Sequence, residues 1–526
     1  MESTSQVLTT CDPPSSSTTS LQSDYEVAIN TPEHSGASSS LVLQLKLLRR
    51  KASQQKLEDA MTTPVFTAPV LAHVGATTTF TQYGLLAGLA EVLQREEEDA
   101  LTTVSSSKQD PRIYFNVAAP SSIFICGSQG SEASTLPQPL TGLVFHYDTF
   151  IADGGGSPCE AAFLSSDPGV KMRVLCSPTN FRTIQRTYHG LNVKIEPLQI
   201  SESDLNTKRM LDLMAVSHDD GPIPLYMHAI YRILREMRIE QQENGGSFSY
   251  ANFKSRVAET VMTPSQLSPL NQRLETLESS MPPIQTKARG LKLKGKVKAS
   301  RQYGNDWTSR SGCLTIVDLS CPCVPPEGAC SLFNICLSIF LEQDMNTGRD
   351  MNTGRVIALD EAHKFMNGSA EAQTFTQTLL STIRLQRHLG ARIIISTQEP
   401  TISPTLLDLC SVTIVHRFTS PDWLRSLKSH LAGVASEPTD EMSDTSYQDK
   451  NKHRKVIASP RSNAEGRLFR DIVRLRVGEA LLFSPSAMVN VESGGIPGFT
   501  RLGTAFLKVR VRTRMTTDGG KSVMAS

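Results

Sequence analysis

The 526-residue sequence has no surplus of charge of either sign: 53 Lys and Arg stand against 52 Asp and Glu, a formal net charge of +1. That balance excludes a uniformly basic nucleic-acid coat and an acidic solvating tail, while leaving local patches open. Long apolar runs are missing too. No stretch approaches the roughly 18 residues a membrane span needs, so no membrane partner is expected. Met1-Glu2-Ser3 carries no basic region followed by an apolar one, so no secretory signal is expected. Cysteine is sparse and scattered, 10 in all, which suits a reducing compartment better than a disulfide scaffold and points inside the cell, to cytoplasm or nucleus. Cys313, Cys321, Cys323 and Cys330 lie close in sequence, but no further pair completes a zinc spacing, so small buried hydrophobes are the better reading.

What is present is ordinary globular material, 39% hydrophobic and 20% charged, enough for roughly three domains' worth of chain. Residues 1–40 are Ser- and Thr-rich with almost no large apolar side chains, a composition that predicts disorder. Residues 41–105 read as a helical N-terminal region, with amphipathic patterns from Leu41 and again over Tyr83 to Glu98. Near-continuous apolar runs at Ile123–Cys126, Leu143–Tyr147, Leu314–Val317, Val356–Leu359, Arg392–Ile395 and Val412–Val415 predict strands buried on both faces, hence an α/β fold with a mainly parallel sheet. That core divides into 106–200 and 286–433. Residues 201–285 carry helical periodicity without strands and read as a helical insertion. Residues 434–466, acidic and then basic, read as a flexible linker, and 467–526 as C-terminal strands completing the core. The apolar segment Cys330 to Leu341, broken by Ser331, Asn334 and Ser338, reads as a core helix. The hexapeptide DMNTGR occurs twice, at 344–349 and 350–355, too short a unit to mean a repeat fold.

The strongest chemical signal is Val356-Ile-Ala-Leu-Asp360-Glu361-Ala-His363. Four apolar residues run into two carboxylates at a strand's C-terminal end, where α/β folds place ligands. The first acid suits a metal ion and the second suits polarising a water. A phosphate cradle would supply the counterpart: strand, Gly-rich loop, Lys, Ser or Thr, helix. The segment Gly127-Ser128-Gln129-Gly130-Ser131-Glu132-Ala133-Ser134 follows a strand, and Ser134 stands where a metal-binding hydroxyl belongs. The Gly-Lys pair is replaced by Glu132-Ala133, which removes the cation and adds an anion. Pro137 and Pro139 then leave no room for the usual helix.

These segments, with LVFHYD, LTIVDLS, ARIIISTQEP, SVTIVHRFTSPDW and FLKVRVRTR, resemble P-loop ATPases of the FtsK–HerA class, RecA-like DNA-translocase motors in a divergent fungal-type form. The resemblance covers roughly residues 110–515 apart from the helical insertion. It implies a RecA-like core with ATP and Mg²⁺ as cofactors, and a homo- or hetero-oligomeric ring with intact relatives. It gives Asp360 and Ser134 to the metal and Gly127 to Ser131 with Ser134 to the nucleotide. Glu361 and Gln398 become catalytic, and Arg384 or Arg387 could reach a neighbouring subunit's phosphate. The departure at Glu132-Ala133 implies impaired ATP binding and hydrolysis, to the point that this chain carries no nucleotide.

Two other readings stand beside this one. The α/β core could serve as a non-enzymatic scaffold or regulatory subunit. A DEAH-type helicase fits Asp360–His363 and Ser396-Thr397, but no second core follows. Blander roles compete at several positions: strand capping for Gln398, a solvated helix face for Arg384 and Arg387, and a helix start for Ser420-Pro421. Two basic stretches could track a phosphate backbone. One is Lys287 to Arg301; the other alternates Lys508, Arg510, Arg512 and Arg514, where a solvated strand face is the preferred reading.

Overall fold

The computed structural model describes residues 59–74, 80–102, 109–126, 139–214, 224–286, 304–342, 354–399, 402–428, 430–431, 464–492 and 498–513. The N-terminal tail, the Gly127–Ser134 loop, Lys287–Arg301, most of the DMNTGR duplication and most of the 434–466 linker lie outside them.

The strands, in chain order, are β1 (Val65–Thr67), β2 (Tyr83–Leu89), β3 (Arg112–Asn116), β4 (Ser122–Cys126), β5 (Thr141–His146), β6 (Lys171–Cys176), β7 (Lys194–Pro197), β8 (Cys313–Asp318), β9 (Arg355–Leu359), β10 (Ala391–Thr397), β11 (Val412–His416), β12 (Glu479–Phe483), β13 (Met488–Glu492), β14 (Gly498–Arg501) and β15 (Leu507–Val511). They form one mixed sheet in the order β14-β13-β1-β3-β2-β15-β12-β11-β4-β10-β9-β5-β8-β6-β7. From β11 to β7 every pairing is parallel. All six runs expected to be doubly buried strands fall in that block, flanked by helices, so the architecture is the α/β one expected of a RecA-like core.

The reason is local composition. β4, β5 and β11 are buried along their whole length, and such strands need cover on both faces. One face of the block packs against helices Pro326–Glu342 and Ala370–Arg384 and the insertion, with Phe124, Phe145, Ile357, Ile393 and Ile395 in a single apolar core. Pro326–Glu342, the expected core helix, is buried almost all round. The insertion is helical as expected: Thr207–Met214, Leu225–Asn244, Tyr250–Glu259, Pro264–Ser279 and Pro283–Thr286. Arg209 ties it to the core, its Nε donating to Ser338 Oγ at 3.0 Å and its guanidinium pairing with Glu342 at 2.7 Å.

The N-terminal region departs from expectation. Tyr83–Leu89 is a strand rather than the start of a helix, and the helix begins at Ala90. Two antiparallel partners, β3 and β15, claim its backbone, and such pairing outweighs a weak helical pattern containing Gly84 and Gly88. The C-terminal strands join the same sheet, β12 antiparallel to β11 and β15 antiparallel to β12, while β13 lies parallel to β1. No helix among the described residues is long and apolar enough to cross a membrane.

Candidate functional site

Asp360 and Glu361 sit at the C-terminal rim of the parallel block. Register places Leu359 beside Ile395 and Ile395 beside Phe124, so β9 and the loop-bearing β4 end at the same rim with β10 between them, roughly 10 Å apart. Gln398 directly follows the end of the intervening strand.

The two acids then part. Glu361 is the one non-glycine residue with positive φ among the described residues, at 50°, a left-handed backbone that side chains rarely adopt. That turn sends its carboxylate toward β10: Gln398 Nε2 donates to Oε1 at 2.9 Å, and Oε2 lies 3.4 Å from His363 Nδ1. Asp360 goes the other way, toward β5, where His146 Nδ1 lies 2.9 Å from its Oδ2. His146 is buried. Burial opposes a charge there, but the Asp360 hydrogen bond, Asp318 and the Asp360 charge outweigh it and lift the imidazole to about 9. Burial likewise works against the Asp360 carboxylate, yet His146, with smaller help from Cys159 and Lys364, holds it below the usual range.

Cys159, fully buried at the start of a short 3-10 turn, completes the cluster. Its Sγ, one His146 ring nitrogen and one Asp360 oxygen all lie within 4.8 Å of one another. Burial first, then Asp360, pushes the thiol well above its ordinary value. A second layer fixes it: the Cys159 N–H donates to Tyr188 Oη at 3.1 Å, and that hydroxyl donates to Asp318 Oδ2 at 2.7 Å. Sequence reading singled out neither His146 nor Cys159. His146 stood inside LVFHYD, and no local pattern announces a cysteine meeting a strand end two hundred residues away.

Arg384 and Arg387 do not join this group within the chain. They lie exposed at the end of Ala370–Arg384 and in the turn Gln386–Leu389, just before β10 begins, whereas Gln398 follows its end. Seven residues of strand, roughly 23 Å, separate the two ends. Gly127, Ser128, Gln129, Gly130, Ser131 and Ser134 lie outside the described residues.

The connection carrying those residues is short. It runs from Cys126 at one rim to Thr141 at the other, fourteen residues that must pass β10 and β9. The two ends lie about 24 Å apart, a strand length and three strand spacings. On β9 and β10, Val356, Ala358, Ile394 and Ser396 are half-buried, alternating with Ile357, Leu359, Ile393 and Ile395 at 1% exposure or less on the opposite face.

Elsewhere the blander readings hold. Ser369 caps Ala370–Arg384 through Ala372 N at 3.2 Å, and Ser420 Oγ accepts from Trp423 N at 3.4 Å. On β15, Lys508 pairs with Glu479 at 3.2 Å and Arg510 with Glu97, so half of that cationic stripe is neutralised.

No protein-family model and no curated protein matches the chain. Solved structures similar to it include the genome packaging NTPase B204 from Sulfolobus turreted icosahedral virus 2 in complex with ATP-gammaS, at 12% identity and TM-score 0.21 over 33% of this chain. Only 63% of the B204 chain is spanned. VirB4 of Thermoanaerobacter pseudethanolicus is 10% identical with TM-score 0.34, over 71% of this chain and 90% of that one. The bacterial conjugative coupling protein TrwBdeltaN70 is 10% identical with TM-score 0.39, over 84% and 96%. Likeness at this level decides nothing about activity.

Proposed function

We propose that this chain is a RecA-like P-loop NTPase relative, of the kind that includes ATP-driven DNA translocases, that neither binds nor hydrolyses Mg-ATP appreciably by itself. In this reading it is a regulatory or scaffold subunit, in the cytoplasm or nucleus, built on the ATPase core and assembling with intact relatives in a ring. The observation that carries it is the direction of Asp360. Magnesium wants oxygen donors and keeps several waters, whereas Asp360 is committed to a buried imidazole and lies against a thiol. The described residues therefore do not fit a magnesium–nucleotide site.

Charge supports the same reading. A triphosphate is met in this fold by loop amides, a helix N-terminus and a Lys. Here Glu132-Ala133 occupies the Gly-Lys position, and Pro137 and Pro139 oppose a regular helix after it. Calorimetry of the full chain with Mg-ATP is the test, and no binding heat is expected. The double substitution Glu132→Gly with Ala133→Lys should fail to restore binding, because the two prolines still oppose the helix that would aim its amides at the phosphate. Tight Mg-ATP binding by the unaltered chain would overturn the proposal.

One observation favours retained hydrolysis: the Gln398–Glu361 contact at 2.9 Å, which is how a water-polarising acid would be held. Turnover that disappears on Glu361→Gln would support that alternative. Nucleic acid is the proposed partner of Lys287–Arg301, whose contacts with phosphate would release counterions and weaken steeply with salt. Binding that survives alanine at Lys292, Lys294, Lys296 and Lys298 would remove it.

A further inference from the structure

We infer that His146, Cys159 and Asp360 form a binding site for a borderline-soft divalent cation of the zinc type, distinct from the magnesium of nucleotide hydrolysis. The donor set is one imidazole nitrogen, one thiolate sulfur and one carboxylate oxygen. Zinc takes all three, at about 2.0–2.3 Å, while a thiol is a poor partner for magnesium. Around a tetrahedral ion such donors stand roughly 3.3–3.6 Å apart. The three atoms here lie within 4.8 Å of one another, with His146 Nδ1 and Asp360 Oδ2 at 2.9 Å. Side-chain adjustments of about an ångström or less close the set.

Two features make this more than a meeting of polar groups. Rigid elements fix every member. His146 ends β5 and Asp360 follows β9, with the Asp360 N–H donating to Phe145 O at 2.9 Å; Cys159 opens a 3-10 turn. An outer layer is in place as well. Tyr188 bridges the Cys159 backbone to Asp318, and Asp318 accepts from Ser320 N at 3.0 Å. Outer partners of this sort orient metal ligands and hold them ready.

No described side chain takes the fourth position. Both Asp318 oxygens are already used, and outlet to solvent runs past Asp360, whose side chain is 18% exposed against 5% for His146. An ion held by three protein donors with one position open accepts an outside ligand, the arrangement of reactive rather than purely structural zinc sites. Occupancy also removes Asp360 from any role with nucleotide. The inference shares Asp360 with the proposed function but does not depend on it. Nucleotide binding and metal binding are read separately, so either can fail without the other.

The test uses the full chain stripped with chelator and titrated with Co²⁺ and Zn²⁺ in the presence of excess Mg²⁺. One Co²⁺ per chain is expected, with a sulfur-to-cobalt charge-transfer band in the near ultraviolet and visible bands of tetrahedral intensity, displaced by Zn²⁺ and untouched by Mg²⁺. Cys159→Ser should abolish the near-ultraviolet band, and His146→Gln or Asp360→Asn should weaken Zn²⁺ affinity by more than the 10- to 100-fold that follows loss of an outer-layer partner. Cys323→Ser, at an exposed cysteine, should change nothing. A wild-type chain that gives no charge-transfer band overturns the inference without any variant. A band that survives Cys159→Ser in a folded protein overturns it as well.

Discussion

The two faces of β10 can be weighed against each other directly. Ile393 and Ile394 are adjacent, chemically identical and on opposite faces of one central strand. Ile393 is fully buried against the helices, and Ile394 is half-buried on the other face. Trimming a buried Ile to Ala costs about 2–5 kcal/mol, the lost transfer energy plus a cavity term. Ile393→Ala belongs near the middle of that range, about 3–4 kcal/mol, because Phe124, Ile357 and Ile395 of the same core are held by backbone ladders and cannot collapse inward. Ile394→Ala forfeits only part of its transfer energy and opens no sealed cavity, so about 1 kcal/mol is expected. Urea unfolding followed by far-ultraviolet circular dichroism, with the two variants compared at one slope, reads the difference. If Ile394→Ala costs as much as Ile393→Ala, the two faces of β10 are equally sealed and the burial asymmetry is refuted.

Glu342→Ala should cost about 3 kcal/mol, because it leaves the buried Arg209 guanidinium without its counter-charge, while Arg209→Ala should cost less because it leaves a carboxylate that is 43% exposed and can be hydrated; equal losses in thermal unfolding would refute the asymmetry. His416 is buried, and desolvation holds it below its ordinary value despite a contact with the Glu479 carbonyl. The folded protein holds it neutral more strongly than the unfolded chain does, so its contribution is complete above the ordinary value of 6.5 and is lost as pH falls from there to its lowered value in the fold; His416→Gln should flatten the stability profile below pH 7, and an unchanged profile would contradict this. Gln398→Ala should leave stability within about 0.5 kcal/mol, as expected for an exposed side chain, and a larger loss in denaturant titration would show that Gln398 holds the rim together.

The parallel block was legible because six of its strands are apolar nearly end to end, and only burial on both faces tolerates that. Asp360-Glu361 was legible for the same reason, two carboxylates abutting four apolar residues. What could not be read was direction. Nothing in the order Asp-Glu tells that Glu361 takes a left-handed backbone and faces Gln398 while Asp360 faces His146; that depends on β5 lying on one side of β9 and β10 on the other. Cys159 was invisible because its neighbours are brought by topology, from strands ending at 146 and 359. Tyr83–Leu89 was misread because its apolar residues suit either period, and its two antiparallel partners lie on either side of it in space, one of them at the far end of the chain.

That last strand has a consequence for how the molecule is made. β2 pairs with β15, and β1 with β13, where Thr67 donates to the Val489 carbonyl across 422 residues of sequence. On a ribosome adding about 5–20 residues each second, β1 and β2 emerge roughly 20–80 s before their partners exist. During that interval their unpaired edges are open to any other nascent strand. The first strands of this sheet are the last to be closed, so a stalled or truncated product lacking β12–β15 is an aggregation hazard even though its parallel block is complete.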